Sequence, residues 1–504
     1  MKWPFDLRRR GEEKDEVMQS SFSGIEKFGE NLTPNMRALR LAMTAGDLML
    51  SMGVPASRVV SRSLDITETY CKRPVHIDVS SNIIMLSQIR GVEKEPLTLI
   101  RPVTTRSINN MTLQLVQQLV DEIRIGKYGL DDAEEQLEKI LKSPITYPGW
   151  MVTVGNASIA AGVSMLFSIN WRIWVVTFVI AIMIDRLIAL LINRGITPFF
   201  RQVAAAAFAT IAAAIINQLT KSGVDFFVGM NPTLIVVGGI IMLVAGLMIV
   251  GAIQDAIEEY YVTANARILK VVLMTMGIVI GILVGLWTAQ KLGMGISVSV
   301  KPLGLTDLPY QIAGAAILTA GFALGTQTRM RAIVWAAMIG VVALLISYWA
   351  LSSGISIVPA SGISAVVVGL LAALFSKRWK TPSTGIIAAG ILPLVPGLAL
   401  MNGLLHLANH PPDDPLFLNG VAILFTAIST ALAIAIGASL GYMLARPLHH
   451  KVTTTRNIQP LNVFTHNQFA SHHKHGLERF GVIRIIENLW HPRDNNKDKD
   501  KPML

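Results

Sequence analysis

Apolar residues follow two different patterns along this 504-residue chain. Up to about residue 146 they recur among charged positions at helix or strand spacing; from 147 to 446 they run almost without interruption. In the front part, Thr33 and Pro34 predict the N-cap and first residue of an amphipathic helix reaching about Met52. A second helix is expected from about Ala56 to Tyr70. Val75, Ile77 and Val79 alternate with His76, Asp78 and Ser80, so Val75–Ile89 reads as strand. Ile108–Ile125 and Leu130–Leu141 read as helices, the latter with Asp131 and Asp132 at its positively polarised end. These elements predict a small α/β domain over residues 31–146. The polar segments 1–30 and beyond about 450 are expected to be disordered.

The apolar runs fall at about 151–169, 173–192, 199–217, 233–253 and 268–290, then 312–328, 332–351, 355–375, 384–405 and 419–445. At 1.5 Å per residue each can cross a hydrocarbon core of about 30 Å. The chain therefore reads as a polytopic α-helical membrane protein with about ten transmembrane helices. Five lie in 147–292 and five in 308–446, and a basic tail follows over 447–504. Charge agrees with this division. Residues 1–150 carry 20 Lys/Arg and 20 Asp/Glu, residues 151–445 only 14 and 8, and residues 446–504 carry 10 and 5. So few charges cannot clothe a water-facing surface, and lipid is the expected solvent of the middle part. With the N-terminus inside, the inner loops hold nine cations (Arg194, Arg201, Arg267, Lys270, Arg329, Arg331, Lys377, Arg378, Lys380). The outer loops hold four, Arg172, Lys221, Lys291 and Lys301. That bias and an even number of spans predict both termini in the cytoplasm of a bacterial plasma membrane protein. The first residues contain no apolar leader core, so the first span is the expected insertion signal. The positive charge belongs to lipid-facing loops and the tail, and a nucleic-acid surface is not expected.

The only cysteine is Cys71, which excludes an intrachain disulfide. No P-loop, GxGxxG or CxxC motif is present, so an ATP-driven pump is disfavoured and neither cofactor nor metal is expected.

The two membrane halves repeat. Residues Gly239–Leu247 (GIIMLVAGL) align with Gly390–Leu398 (GILPLVPGL), six of nine positions matching, each copy in the fourth span of its half. Because five is odd, the second copy must insert upside down, which is the inverted-repeat plan of many transporters. Pro393 and Pro396 have no amide hydrogen, so the carbonyls of Ala389 and Leu392 lose their usual helical partners, and Gly397 eases a bend. A broken helix of this kind can offer carbonyls to an ammonium and an amide end to a carboxylate, both of which an amino acid needs. An ordinary packed proline kink is the competing reading.

At these residues the sequence resembles the threonine/serine exporter family over nearly its whole length. The supporting stretches are Gly46–Gly53 (GDLMLSMG), His76–Val79 (HIDV), Gly195–Phe200 (GITPFF), Leu243–Asp255 and Val262–Arg267 (VTANAR). The resemblance looks closest to the single-chain, actinobacterial-type members. It implies a cytosolic domain ahead of two homologous membrane regions, and export of threonine and serine driven by the proton gradient. Many members carry Pro-x-x-Pro-Gly in both repeats, whereas here the first copy reads Met242-Leu243-Val244-Ala245-Gly246. Only the ninth span is therefore expected to be strongly broken.

The candidate substrate path comprises Ala389, Gly390, Leu392, Pro393, Pro396, Gly397 and Asn402, with Gly239 and Gly246 as counterparts. Asp255, which matches a family Asp, and Asp185 are proton-coupling candidates, with Arg186 as supporting charge. Each has a structural alternative: Asp185 and Arg186 as a packed pair, Asp255 as a solvated helix end, Asn402 as interhelical glue. Glu258 and Glu259 read as solvated loop charges. His76 with Asp78 and the His472-His473-Lys474-His475 cluster carry no catalytic or metal-site spacing. The expected partners are the lipid bilayer, threonine, serine and protons, and a homo-oligomer is compatible with the reading. A small-dicarboxylate exporter is the first alternative, although the spans offer a dicarboxylate only Arg186. A membrane-anchored enzyme or sensor using the front domain is the second.

Overall fold

The computed structural model describes residues 33–445 except 92–93, 105, 143–145, 228, 244–245, 295–303, 380–382, 410 and 412. The segments expected to be disordered, and the histidine cluster, lie outside the described residues.

Helix α1 (Pro34–Ser51) starts as its sequence predicts: Thr33 is extended and its hydroxyl accepts the Met36 amide at 3.4 Å. Helix α2 (Ala56–Tyr70) follows. The strand segment is in fact two strands, β1 (Val75–Ser80) and β2 (Ile83–Gln88), reversed at Ser81-Asn82 with Ser81 at φ +58°. A third strand that sequence reading missed, β3 (Leu97–Pro102), pairs antiparallel with β2. Its six residues, which start after Pro96 and end on Pro102, are too short a run for their alternation to stand out. Helices α3 (Asn110–Arg124) and α4 (Leu130–Lys142) complete the unit. Leu39, Met49, Ile66, Ile84, Leu86 and Ile123 are fully buried between the helices and one face of the sheet. His76 and Asp78 stand on its exposed face. Arg37 ties α1 to α4 through Glu134 and Asp131, and Arg62 ties α2 to α3 through Asp121.

Twelve further α-helices follow among the described residues. The first half has α5 (Gly149–Phe167), α6 (Trp171–Asn193), α7 (Pro198–Lys221), α8 (Pro232–Ile240), α9 (Gly246–Ile257) and α10 (Tyr261–Lys291). The second has α11 (Leu308–Gly325), α12 (Met330–Ser352), α13 (Ile357–Trp379), α14 (Ser383–Ile391), α15 (Gly397–Asn409) and α16 (Pro415–Leu444). Eight of these, α5–α7, α10–α13 and α16, are long and apolar enough to cross a bilayer, and α14 with α15, bent by 53°, makes nine if the pair is one span. The described helices thus give eight or nine candidate spans where ten are expected. Large apolar side chains such as Val175, Val179, Phe425, Ile428 and Leu432 are exposed on their outer faces, as lipid contact requires.

Packing follows one scheme in both halves. α7 lies along α10 as α13 lies along α16, and α8 sits among α5, α6 and α7 as α14 sits among α11, α12 and α13. Each later half-helix packs on the long last helix of its own half and also reaches the other half: α9 lies against α10 and α16, and α15 against α16 and α10. Met401 and Leu405 of α15 thus complete the apolar core of the first half, and Ile249 and Val250 of α9 that of the second. The halves meet along α5 and α11, where glycines bring the backbones together. A Cβ on Gly162 would stand 2.6 Å from the Leu318 nitrogen, and one on Gly314 2.7 Å from the Gly162 oxygen.

The expectation that only the ninth span is broken does not hold. The fourth apolar run is interrupted too and passes as no continuous span: helix α8 ends at Ile240, a three-ten turn covers Ile241–Leu243 and a new helix starts at Gly246. No proline is needed because tertiary contacts hold the break. The end of α8 is wedged so closely that Cβ atoms on Gly238 and Gly239 would meet Thr177 at 2.6 Å and Ala209 at 3.1 Å. The Gln202 side chain also donates to the Leu243 carbonyl at 3.3 Å, compensating one group that the interruption frees.

Candidate functional site

The ninth-span break is built by its prolines. Helix α14 stops at Ile391, Leu392–Leu394 forms a three-ten turn, Val395 is extended at ψ 125°, and α15 starts at Gly397. The Leu392 carbonyl is not left free as the sequence suggests: the Val395 amide turns back to it at 3.3 Å. Gly397 donates to Val395 O at 2.8 Å and Leu400 to Pro396 O at 3.0 Å, so the second half-helix starts on Pro396. Ala389 is fully buried beside Ala323 and Ala336, and Gly390 lies against Ile339 and Val368. Pro393 and Pro396 are half-buried. Asn402, on α15, is half-buried and has no hydrogen-bond partner among the described residues. Gly239 faces Ala209 and Ile180, and Gly246 opens α9.

Asp255 is not a solvated helix end. It is 0% exposed, its Oδ2 lies 2.6 Å from Nη1 of Arg267, and its Oδ1 accepts the Ala56 amide at 3.1 Å. Ala56 is the first residue of α2, whose N-cap position is Pro55 and which has no side-chain cap of its own. A carboxylate on a membrane half-helix therefore caps a helix of the front domain. Around this point Arg267 Nη2 donates to Val54 O at 3.3 Å, Ser57 to Glu258, and the Ser81 amide to Thr263 Oγ1 at 3.0 Å. Glu258, expected to be a free loop charge, is thus part of the contact. A second tie joins Asn110 to Thr326 at 3.1 Å and Thr328 at 2.9 Å after α11.

Asp185 and Arg186 lie elsewhere. Asp185 accepts from Thr153 at 2.7 Å, Asn156 at 2.9 Å and Arg186 at 2.6 Å, knitting α6 to α5. Three donors satisfy most of its acceptor capacity, as the packed-pair alternative requires.

Beneath the front domain lies a cavity of about 590 Å³ that the sequence did not reveal. Thr263, Ala266, Arg267 and Lys270 line it from α10, and Thr384, Ile387, Ala388 and Ile391 from α14, each set one helical stripe. Leu247, Gly251 and Gln254 of α9 and Ala435 and Ala438 of α16 form further walls. The roof is the α1–α2 turn with Arg58, the Ser81-Asn82 turn and the Arg106 segment. The cavity therefore runs from the front domain, between α9, α10, α14 and α16, to the residue at which α14 breaks. Its charged lining is Arg58, Arg106, Arg267 and Lys270, so Arg186 is not the only cation available to a solute, contrary to expectation. Arg106 faces Asp47 at 3.7 Å; burial pushes the Asp47 carboxyl above its ordinary value, against the pull of Arg106 and Arg101. A detectable signal was cations at i and i+3 on an otherwise apolar helix, Arg267 and Lys270, which loop assignment had absorbed.

Apolar helices around two interrupted ones, with a cavity edged by four cations reaching one break, define a multi-pass membrane protein. A family model described as "Putative threonine/serine exporter" matches residues 40–288, and one described as "Threonine/Serine exporter, ThrE" matches 311–444. A Mycobacterium tuberculosis protein named "Probable threonine/serine exporter" is 32% identical over 422 residues, 82% of this chain and 77% of that protein. A Corynebacterium glutamicum protein named "Threonine/serine exporter" is 29% identical over 439 residues, 86% of each. The chain belongs to the threonine/serine exporter family. No solved structure matches it.

Proposed function

We propose that this chain is a secondary transporter that exports threonine and serine from the cytoplasm, coupled to the proton gradient, by alternating access of two inverted five-helix repeats. The observation that carries the reading is the pair of interruptions at equivalent places, Ile241–Leu243 and Leu392–Leu394, each followed by a half-helix that packs against both halves. Rocking one half against the other then moves both breaks together. The names of the two relatives support the solute, and the nine-to-four loop bias supports cytoplasmic termini with the 31–146 domain inside. On this reading Ala389, Gly390, Leu392, Pro393, Pro396, Gly397 and Asn402, facing Gly239 and Gly246, form the path. Asp255 and Asp185 are the proton-coupling candidates. The test is flux from threonine-loaded proteoliposomes. Export that rises with an imposed pH gradient and falls when it is collapsed supports the proposal; flux indifferent to the gradient removes the coupling, and no flux of threonine or serine removes the solute.

The four cations around the cavity favour one second reading, a small dicarboxylate as solute. Succinate that competes with labelled threonine, or replaces it as cargo, would establish that reading.

A further inference from the structure

The cavity under the front domain holds more positive charge than its surroundings neutralise. No Asp or Glu is among its described lining, against Arg58, Arg106, Arg267 and Lys270. Three of these cations are engaged: Arg267 with Asp255 at 2.6 Å, Arg106 with Asp47 at 3.7 Å, and Arg58 over the Tyr442 ring at 4.5 Å. Lys270 has no hydrogen bond or ion pair among the described residues, and the charges acting on it, Arg267 and Arg201, are both positive. Arg201 itself keeps a buried Nε without a partner, and so does the buried Thr384 hydroxyl on another wall. Half-buried like charges repel strongly unless an anion joins them.

Geometry puts that anion within reach of a solute. Helix α10 has 31 residues, about 46 Å at 1.5 Å each, against a hydrocarbon core of about 30 Å. Lys270 is the tenth residue of it, on the cavity stripe one turn beyond Arg267 and so one turn farther from the front domain. A volume of about 590 Å³ is in the range of small-molecule sites. Apolar Leu247, Met248, Ile387 and Ile391 suit a short side chain beside a single carboxylate better than a multiply charged group.

We infer that Lys270 anchors the α-carboxylate of the exported amino acid, which makes this roofed cavity the capture site on the cytoplasmic side. The inference rests on the exporter reading above. It assigns the front domain a direct part in transport, since Arg58, Ser81, Asn82 and Arg106 close the chamber in which the solute is held.

The experiment compares wild type, Lys270→Met and Lys270→Arg as full-length chains in proteoliposomes, after matched size-exclusion profiles show that each is folded. Loss of a charge-assisted contact raises half-saturating internal threonine about tenfold or more in Lys270→Met. Maximal flux changes much less, and Lys270→Arg stays near wild type. Threoninol, which lacks the carboxylate, competes far more weakly than serine in wild type; in Lys270→Met the two compete alike. Unchanged half-saturation together with retained discrimination in Lys270→Met overturns the inference. If wild type moves neither threonine nor serine, the exporter reading fails by itself, and direct binding to the purified chain decides the site. Acetate or succinate binding that Lys270→Met abolishes sustains a carboxylate site; binding of inorganic phosphate alone, or of none of these, overturns it.

Discussion

Asp255 offers the sharpest test of how the front domain is held. Its carboxylate is fully buried, paired with Arg267 at 2.6 Å and bonded to the Ala56 amide at 3.1 Å. Removing one partner of a buried ion pair costs about 3–5 kcal/mol, and because the Arg267 side chain keeps 22% exposure the lower end applies. Loss of the cap on α2 adds about 1 kcal/mol. Asp255→Ala is therefore expected to weaken the local attachment by about 4 kcal/mol. Asp255→Asn keeps an acceptor for Ala56 and loses only the charge, so it costs about 2–3 kcal/mol. The assay is hydrogen exchange, followed by mass spectrometry, of peptides covering the start of α2 in detergent-purified protein. About 4 kcal/mol corresponds to between two and three orders of magnitude in the opening equilibrium, read as faster exchange at Ala56–Val59. Peptides from β2 should exchange unchanged. In the cycle with Arg267→Ala, the double variant should lose less than the sum of the singles, because each single leaves an unpaired charge. Exchange at Ala56–Val59 unaffected by Asp255→Ala would refute the anchor. A shift in the pH profile of flux in Asp255→Asn, with exchange unaltered, would instead make Asp255 a proton carrier.

Replacing Pro393 and Pro396 together by Ala restores two amides that can close α14 onto α15, so flux should fall severalfold while membrane insertion persists. Wild-type flux in the double variant would leave the broken ninth span without a role. Gly162→Leu should cost more than the roughly 1–3 kcal/mol of ordinary overpacking, since its Cβ would meet Leu318 backbone at 2.6 Å. Size-exclusion recovery should drop for that variant and not for Gly149→Ala, where a Cβ meets nothing within 4 Å. Burial raises the Asp47 carboxyl above its ordinary value of 3.8, so folding favours its protonated form. That stabilising contribution is complete below the ordinary value and is lost as pH rises through the raised one. Asp47→Asn should accordingly melt higher than wild type at about pH 7, with the difference closing toward about pH 4, by thermal unfolding of purified protein.

Much of this molecule was legible as one-dimensional pattern. Thr33-Pro34 marked the start of α1, Ala56 and Tyr70 the bounds of α2, and apolar runs marked the eight continuous membrane helices. Pro393 and Pro396 located one break, because a missing amide acts where it stands. The matching segments Gly239–Leu247 and Gly390–Leu398 identified the counterpart helix, yet not that it is broken as well. That break depends on Thr177, Ala209 and Gln202, residues distant in sequence that shape and satisfy it. β3 escaped for a related reason: six residues that follow one proline and end on another become a strand by pairing with β2.

By itself, the sequence determined what must meet lipid, where helices begin, and that two halves share a plan, since these follow from local solvation and backbone chemistry. Only the tertiary structure decided which helix partners which. The bridging of the halves by α9 and α15 depends on shape-matched contacts such as Ile249, Val250, Met401 and Leu405, for which any apolar run would look equally suitable. The same holds for charge. Arg267 and Lys270 stand one turn apart on a helix, but folding spends one on a buried carboxylate and leaves the other facing a cavity. An ion pair or a cavity is a property of atoms brought together across the chain, and its energy depends on burial that no local pattern carries.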